Sequence, residues 1–163
     1  MTTATADTPN DVSLGDLPEW DLSDLYPATK CVELEADLNR AATESRAFSN
    51  HYKGKLSGLT GDALGTAIAE YEAINEIMGR IMSYAQLVYA GNVSDPEIGR
   101  FYQSAQERVN DISADVLFFS LELNEIEDRT VAKQLRAIKA SKYKPWVDNV
   151  RSFRPHQLSE EME

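Results

Sequence analysis

The sequence predicts an all-α fold, an antiparallel bundle of long helices joined by short connecting loops. Three observations lead there. Apolar residues recur every three or four positions over long stretches, the 3.6-residue period of amphipathic helices. Alternating apolar and polar runs with Asn-Gly or Asp-Gly turns, the mark of hairpins, are missing. The two longest periodic stretches have no interior proline, and the helix lengths along the chain differ too much for a solenoid.

Residues 1–17 are small and polar and read as a flexible N-terminal arm. A helical domain is expected over 18–153. It opens on an apolar cluster, Leu17-Pro18-Glu19-Trp20-Asp21-Leu22-Ser23-Asp24-Leu25-Tyr26-Pro27. Two prolines bracket this cluster and disfavour a long helix. It reads as an extended segment anchored by Trp20, Leu22, Leu25 and Tyr26. The first helix is expected over about 30–52, with Leu34, Leu38, Ala41, Ser45, Phe48 and Tyr52 on one face. Gly54, Gly58 and Gly61 are then expected to break the chain.

Thr60 or Asp62 can cap the second helix. Its face is Leu64, Ile68, Tyr71, Ile74, Met78, Ile81, Ala85 and Val88, and Gly91-Asn92 ends it. From Ile77 to Ala90 the strongly polar positions reduce to a narrow strip, Arg80, Ser83 and Gln86, which predicts burial on several sides. The third helix has the clearest start: Asp95 as cap, Pro96 at the first helical position and Glu97 at the positive helix end. Ile98, Phe101, Ala105, Val109, Ile112, Val116, Phe119, Leu123 and Ile126 form its face, and Val116–Leu121 broadens the stripe. A continuous helix of roughly 30 residues would be about 45 Å long. A shorter helix over about 130–141 would bury Val131, Leu135 and Ile138. Pro145 interrupts it, and Trp146, Val150 and Phe153 suggest one more short helical piece. Ser159 and the acidic residues after it read as the start of a further helix. The chain is therefore expected to be an N-terminal piece of a longer protein, with a frayed tail as the alternative.

Composition narrows the function. The 163 residues carry 27 acidic and 16 basic side chains, a net charge of −11. That balance argues against a nucleic-acid surface and against anionic lipid. No run approaches the ~20 apolar residues of a membrane span. The first residues lack a secretory pattern, and the single Cys31 has no internal disulfide partner, which together suit the cytoplasm. No phosphate loop, dinucleotide fingerprint, nucleophile elbow or zinc-binding spacing is present. No catalytic, cofactor-binding or metal-ligating residue is therefore assigned.

The residues that could carry chemistry have plainer readings. His156, in Arg-Pro-His, is expected to be structural, bonded to backbone at a tight turn, rather than a substrate contact. His51 is expected to be exposed or capping near a helix end. Tyr71, Tyr84, Tyr89, Phe101 and Tyr102 could form an aromatic groove for peptide side chains, yet at helical spacing they read as core, with Tyr84 and Tyr89 intermediate. Glu70, Glu72 and Glu76 read as a solvated surface rather than an acid–base or metal cluster. Cys31 reads as a small buried side chain rather than a reactive thiol.

Four short patterns resemble the N-terminal region of oligoendopeptidase F, in the thimet oligopeptidase-like family of zinc metallopeptidases. They are Trp20-Asp21-Leu22-Ser23-Asp24-Leu25-Tyr26, Tyr52-Lys53-Gly54-Lys55-Leu56, Ser83-Tyr84-Ala85-Gln86-Leu87, and the run Arg151-Ser152-Phe153-Arg154-Pro155-His156-Gln157-Leu158-Ser159-Glu160-Glu161. The resemblance implies a helical enzyme with a deep channel between two lobes, cleaving short peptides with a zinc ion held by H-E-x-x-H and a downstream Glu. That motif is absent here, so no ligand or catalytic residue carries over. The resemblance instead implies that 18–153 form the non-catalytic N-terminal domain and that 154–163 lead towards a catalytic domain. Zinc is then expected only in the full-length parent. The implied partners are the catalytic lobe of the same polypeptide and short peptides, with self-association of this piece possible through its wide apolar stripes. A stand-alone helical interaction module is the alternative reading.

Overall fold

The computed structural model describes residues 20–157, and among them every regular element is a helix. The expected arm at 1–17 and the helix start at Ser159 lie outside the described residues. Seven α-helices follow one another: α1 Val32–Tyr52, α2 Gly61–Gly91, α3 Pro96–Val116, α4 Phe118–Glu125, α5 Asp128–Gln134, α6 Ile138–Ser141 and α7 Lys144–Ser152. Short 3-10 turns stand at Leu56–Gly58 and Arg154–His156. The three long helices pack on one another, and α2 also receives α5 and α6.

Helix α1 buries the six residues its period predicts, Leu34, Leu38, Ala41, Ser45, Phe48 and Tyr52. Cys31 is its cap. The Sγ accepts from Leu34 N at 3.4 Å, and the residue is half-buried rather than buried as expected. Thr60, not Asp62, caps α2 by accepting from Ala63 N at 3.2 Å. Asp62 instead accepts from Lys139 N at 3.3 Å, tying α6 to the start of α2. Asp95 caps α3 as the sequence indicates, accepting from Glu97 N at 2.7 Å.

The connection after α1 corrects one expectation. Gly54 does turn the chain, at φ +77°, a left-handed conformation that favours glycine. Gly61 is no breaker but the first residue of α2. Its missing side chain is used for packing: a Cβ there would lie 2.2 Å from Gln134 O. Gly65 faces backbone alone, since its Cβ would lie 2.4 Å from Lys139 C and 2.6 Å from Ala140 N. Bare backbone on α2 lets α6 settle onto it.

Further departures appear after residue 116. The expected third helix is interrupted at Leu117, although the backbone there keeps right-handed helical angles, φ −55° and ψ −39°. Ser120 Oγ donates to Leu117 O at 3.1 Å, so a side chain takes up a carbonyl beside the break. The neighbours Phe118 and Phe119 are both buried, with Leu117 left exposed. The helix expected over 130–141 divides into α5 and α6, because Ala137 is extended (φ −70°, ψ 147°). That bend resets the helical phase. Val131 and Leu135 are buried as expected, but Ile138 is 91% exposed, and Ala140 takes the inward position instead. Pro145 opens α7 rather than ending structure. Val147 is its buried residue, while Trp146 and Val150 are half-buried and Phe153 is exposed. Trp20, expected as an anchor, is 68% exposed; Tyr26 is the buried anchor, helped by the half-buried Leu22 and Leu25.

Two substitutions on α2 separate packing from propensity. Gly65→Ala is expected to destabilise the protein by roughly 1–3 kcal/mol or more, because backbone cannot yield as a flexible side chain can. Gly79→Ala, with open space around its position, is expected to stabilise by about 0.5–1 kcal/mol. Urea denaturation of both variants checks the pair, with Cm moving in opposite directions.

Candidate functional site

The polar groups that could act on another molecule gather at the α4–α5 corner, and one arginine builds that corner. Arg151, reaching back from α7, donates to Leu123 O and, through Nη2, to Ile126 O at 2.8 Å. It also pairs with Asp128 at 2.6 Å. The carbonyls at the end of α4 have no partner within the helix. A guanidinium supplies several donors in a fixed planar fork, and its charge suits a helix C-terminus. Arg154 adds a second contact to Asp128 at 3.2 Å.

Next to this corner lies an open cleft of about 610 Å³, between the turn after α1 and α4. Lys53, Gly54 and Ser57 border it on one element, and Glu122, Glu125 and Glu127 supply carboxylates on the other. Glu122 is already used, accepting from Gly54 N at 2.5 Å and so locking the glycine turn to α4. Below the turn, Gln134 Nε2 donates to Leu56 O at 3.0 Å and Leu59 O at 2.9 Å. The cleft is therefore held by hydrogen bonds on both sides. It offers acceptors and charge, with no nucleophile–base pair among its lining residues.

A second polar cluster joins the segment before α1 to the bundle. Tyr26 OH donates to Asp37 at 2.8 Å, and Arg80 contacts both groups and lies 5.2 Å from the Tyr26 ring centroid. Arg40 pairs with Asp37 at 3.2 Å. Burial, together with the hydrogen bond to Asp37, pushes the Tyr26 hydroxyl up to about 12. Burial opposes ionisation of Asp37, but hydrogen bonds from Tyr26 and Arg80 and the charges of Arg80 and Arg40 outweigh it, so its carboxyl falls below the usual range. These are the signs of a structural clip joining the segment before α1 to α1 and α2.

The residues weighed from sequence fall as follows. His156 lies in the last 3-10 turn, with its backbone N donating to Phe153 O at 2.8 Å and its side chain exposed. His51 is exposed, its ring 4.5 Å edge-on from that of Tyr52, and Lys55 Nζ, not His51, caps the carbonyls at the end of α1. Tyr71 stacks on Phe119 at 4.8 Å, and Tyr84 is buried edge-on to Tyr26 at 5.3 Å. Tyr89 and Tyr102 stack at 5.0 Å and stay half-buried, as does Phe101. Glu70, Glu72 and Glu76 are exposed, and Glu72 accepts from Tyr143 OH at 3.1 Å. Arg151, Gln134 and Asn124 were not singled out. The signal for Gln134 was available: it sits at helical spacing between the buried Val131 and Leu135.

A zinc ion tests poorly against the described residues. Zinc sites need about four donors in tetrahedral reach. Among the described residues no group of three or more His, Cys, Asp and Glu side chains could hold a metal ion. No helix among them is long and apolar enough to cross a membrane.

The class defined so far is a helical domain with a polar cleft. Comparison then adds a partial match. Residues 122–163, roughly a quarter of the chain, match the peptidase M3 N-terminal family, described as oligopeptidase F. The matched stretch runs from α4 through Arg151 to the last 3-10 turn and beyond. The fourth sequence pattern lies inside it, and the other three lie before it. No curated protein and no solved structure matches the chain.

Two predictions follow from the clusters. Arg151→Ala leaves the α4 carbonyls without a donor and is expected to cost about 2–3 kcal/mol; Arg151→Lys should recover only part of it, since an ammonium lacks the fork. Thermal unfolding of both variants measures this. The Tyr26–Asp37 clip predicts both ends of the pH profile. Asp37, with a lowered carboxyl, contributes stability that is present above its ordinary value of 3.8 and lost as pH falls below it. Tyr26, with a raised hydroxyl, contributes stability that is present below 10 and lost between 10 and about 12. Asp37→Asn should flatten the acid limb and Tyr26→Phe the alkaline limb, measured by chemical denaturation across pH.

Proposed function

We propose that the chain is the N-terminal, non-catalytic helical domain of an oligoendopeptidase F-like zinc metallopeptidase that hydrolyses short peptides. In this reading it forms a wall of the substrate channel in a cytoplasmic enzyme, and the zinc and its ligands belong to a catalytic lobe further along the same polypeptide. The observation that carries the reading is the family match over residues 122–163. The packing supports a mechanical role. Helix α2 has 31 residues, about 46 Å of rod at 1.5 Å per residue, braced on several sides. A stiff wall of this kind excludes folded proteins by size, while an enclosing lobe helps keep water from the reacting peptide.

A second reading, a stand-alone helical interaction module, has its own observation. Where α2 ends and α3 begins, Val88, Tyr89, Phe101 and Tyr102 are half-buried, and Trp20 and Val93 are exposed. Apolar surface of that kind suits a partner helix or a second copy of the chain.

Sequencing the coding region past codon 163 decides between them. Continuation to H-E-x-x-H supports the first reading, and a stop codon supports the second. The purified chain with added zinc is expected to leave a fluorescence-quenched peptide uncut; zinc-dependent cleavage would overturn the assignment of a non-catalytic domain.

A further inference from the structure

Two clefts meet at the end of α4, because Glu125 and Gln157 line both. The smaller, about 330 Å³, is formed by Asn124, Glu125, Arg154 and Gln157. Two oxygens of its lining residues, Asn124 Oδ1 and Gln157 Oε1, are buried and have no hydrogen-bond partner. Asn124 is only 6% exposed. A buried acceptor without a donor is a standing cost, and native proteins rarely leave two in the lining of one cleft without a use.

The surroundings say which donor would fit. The backbone here is fixed, since Arg151 holds Leu123 O and Ile126 O on either side of Asn124. Glu125 is exposed beside the two amides, and Glu127 lines the adjoining cleft. Of the cations nearby, Arg154 is paired with Asp128 and Lys53 lines the wider cleft. An anion would meet carboxylates and orphan acceptors, and an apolar group would leave the acceptors unpaired. A primary ammonium has three donors, one positive charge and no acceptor. Its donors match Asn124 Oδ1, Gln157 Oε1 and the Glu125 carboxylate of this one cleft in number and in charge.

The geometry points to this cleft as a binding site for a primary ammonium group carried by a peptide, either its amino terminus or a lysine side chain. The inference stands on the orphan acceptors and does not depend on the peptidase reading.

The test is a titration of the whole chain followed by the NMR signals of the Asn124 and Gln157 side-chain amides. With n-butylammonium chloride at constant ionic strength, both signals should shift and saturate. Tetramethylammonium, with the same charge and no N–H donor, should leave them unmoved. Glu125→Gln, at an exposed position, should weaken n-butylammonium by roughly two- to fivefold, and Gln157→Met should abolish the shift at Asn124. Two peptides identify the source: one with a free amino terminus and no lysine, the other acetylated with a single lysine. The one that reproduces the n-butylammonium shifts carries the group. Equal shifts from tetramethylammonium, no saturation with n-butylammonium, or failure of both peptides would overturn the proposal.

Discussion

The close approach of backbone to backbone at the start of α2 is the constraint on which the rest depends. Gly61 faces Gln134 O and Gly65 faces the Lys139–Ala140 peptide at distances that admit no side chain. Because the chains meet this tightly, Gln134 can reach the carbonyls of Leu56 and Leu59, and Asp62 can accept from Lys139 N. Tyr143 then reaches Glu72 further along α2. The short helices after α4 are too short to be stable alone. They are held because α2 presents a backbone groove at one end and an aromatic wall further on.

That wall is the hydrophobic half of the same arrangement. Phe48 from α1, Tyr71 from α2, Phe118 and Phe119 from α4 and Trp146 from α7 form one connected group, with centroids 4.8 to 6.4 Å apart. Ring packing contributes burial but little direction, since apolar contact alone tolerates slippage. Register comes from the polar clips. Tyr26, Asp37 and Arg80 set the segment before α1 against α2, and Arg151 sets α7 against the end of α4. The sequence patterns that resemble a peptidase family fall on these joints. Tyr26 of the first touches Tyr84 of the third, and Gly54 of the second shares a cleft with Gln157 of the fourth.

The long helices were legible because they obey local rules. A 3.6-residue stripe needs only the sequence itself to be seen, and so α1 and most of α2 and α3 bury what their spacing indicates. What was not legible depended on distant partners. Gly61 reads as a breaker until Gln134 O, 73 positions on, is found in its Cβ space. Ile138 belongs to the stripe of Val131 and Leu135 only if the helix is unbroken, and the docking of Ala140 on Gly65 breaks it. Trp20 looks like an anchor by composition, yet Tyr26 has the hydroxyl that Asp37 and Arg80 require. The cleft at the end of α4 was invisible for the same reason, because its lining comes from the turn after α1, from α4 and α5 and from the last 3-10 turn.

The use of charge follows from these joints. With 27 acidic and 16 basic residues the chain is already negative, and the structure spends much of its positive charge internally. Arg40 and Arg80 serve Asp37, Arg108 serves Glu35, and Arg151 and Arg154 serve Asp128. All of these partners are carboxylates that would otherwise add to the surface field, yet each pair also removes a cation that could have met an outside anion. What remains at the end of α4 is the exposed Glu125 carboxylate and two buried acceptors without partners. A protein surface of one sign concentrates ligands of the other before any specific contact forms.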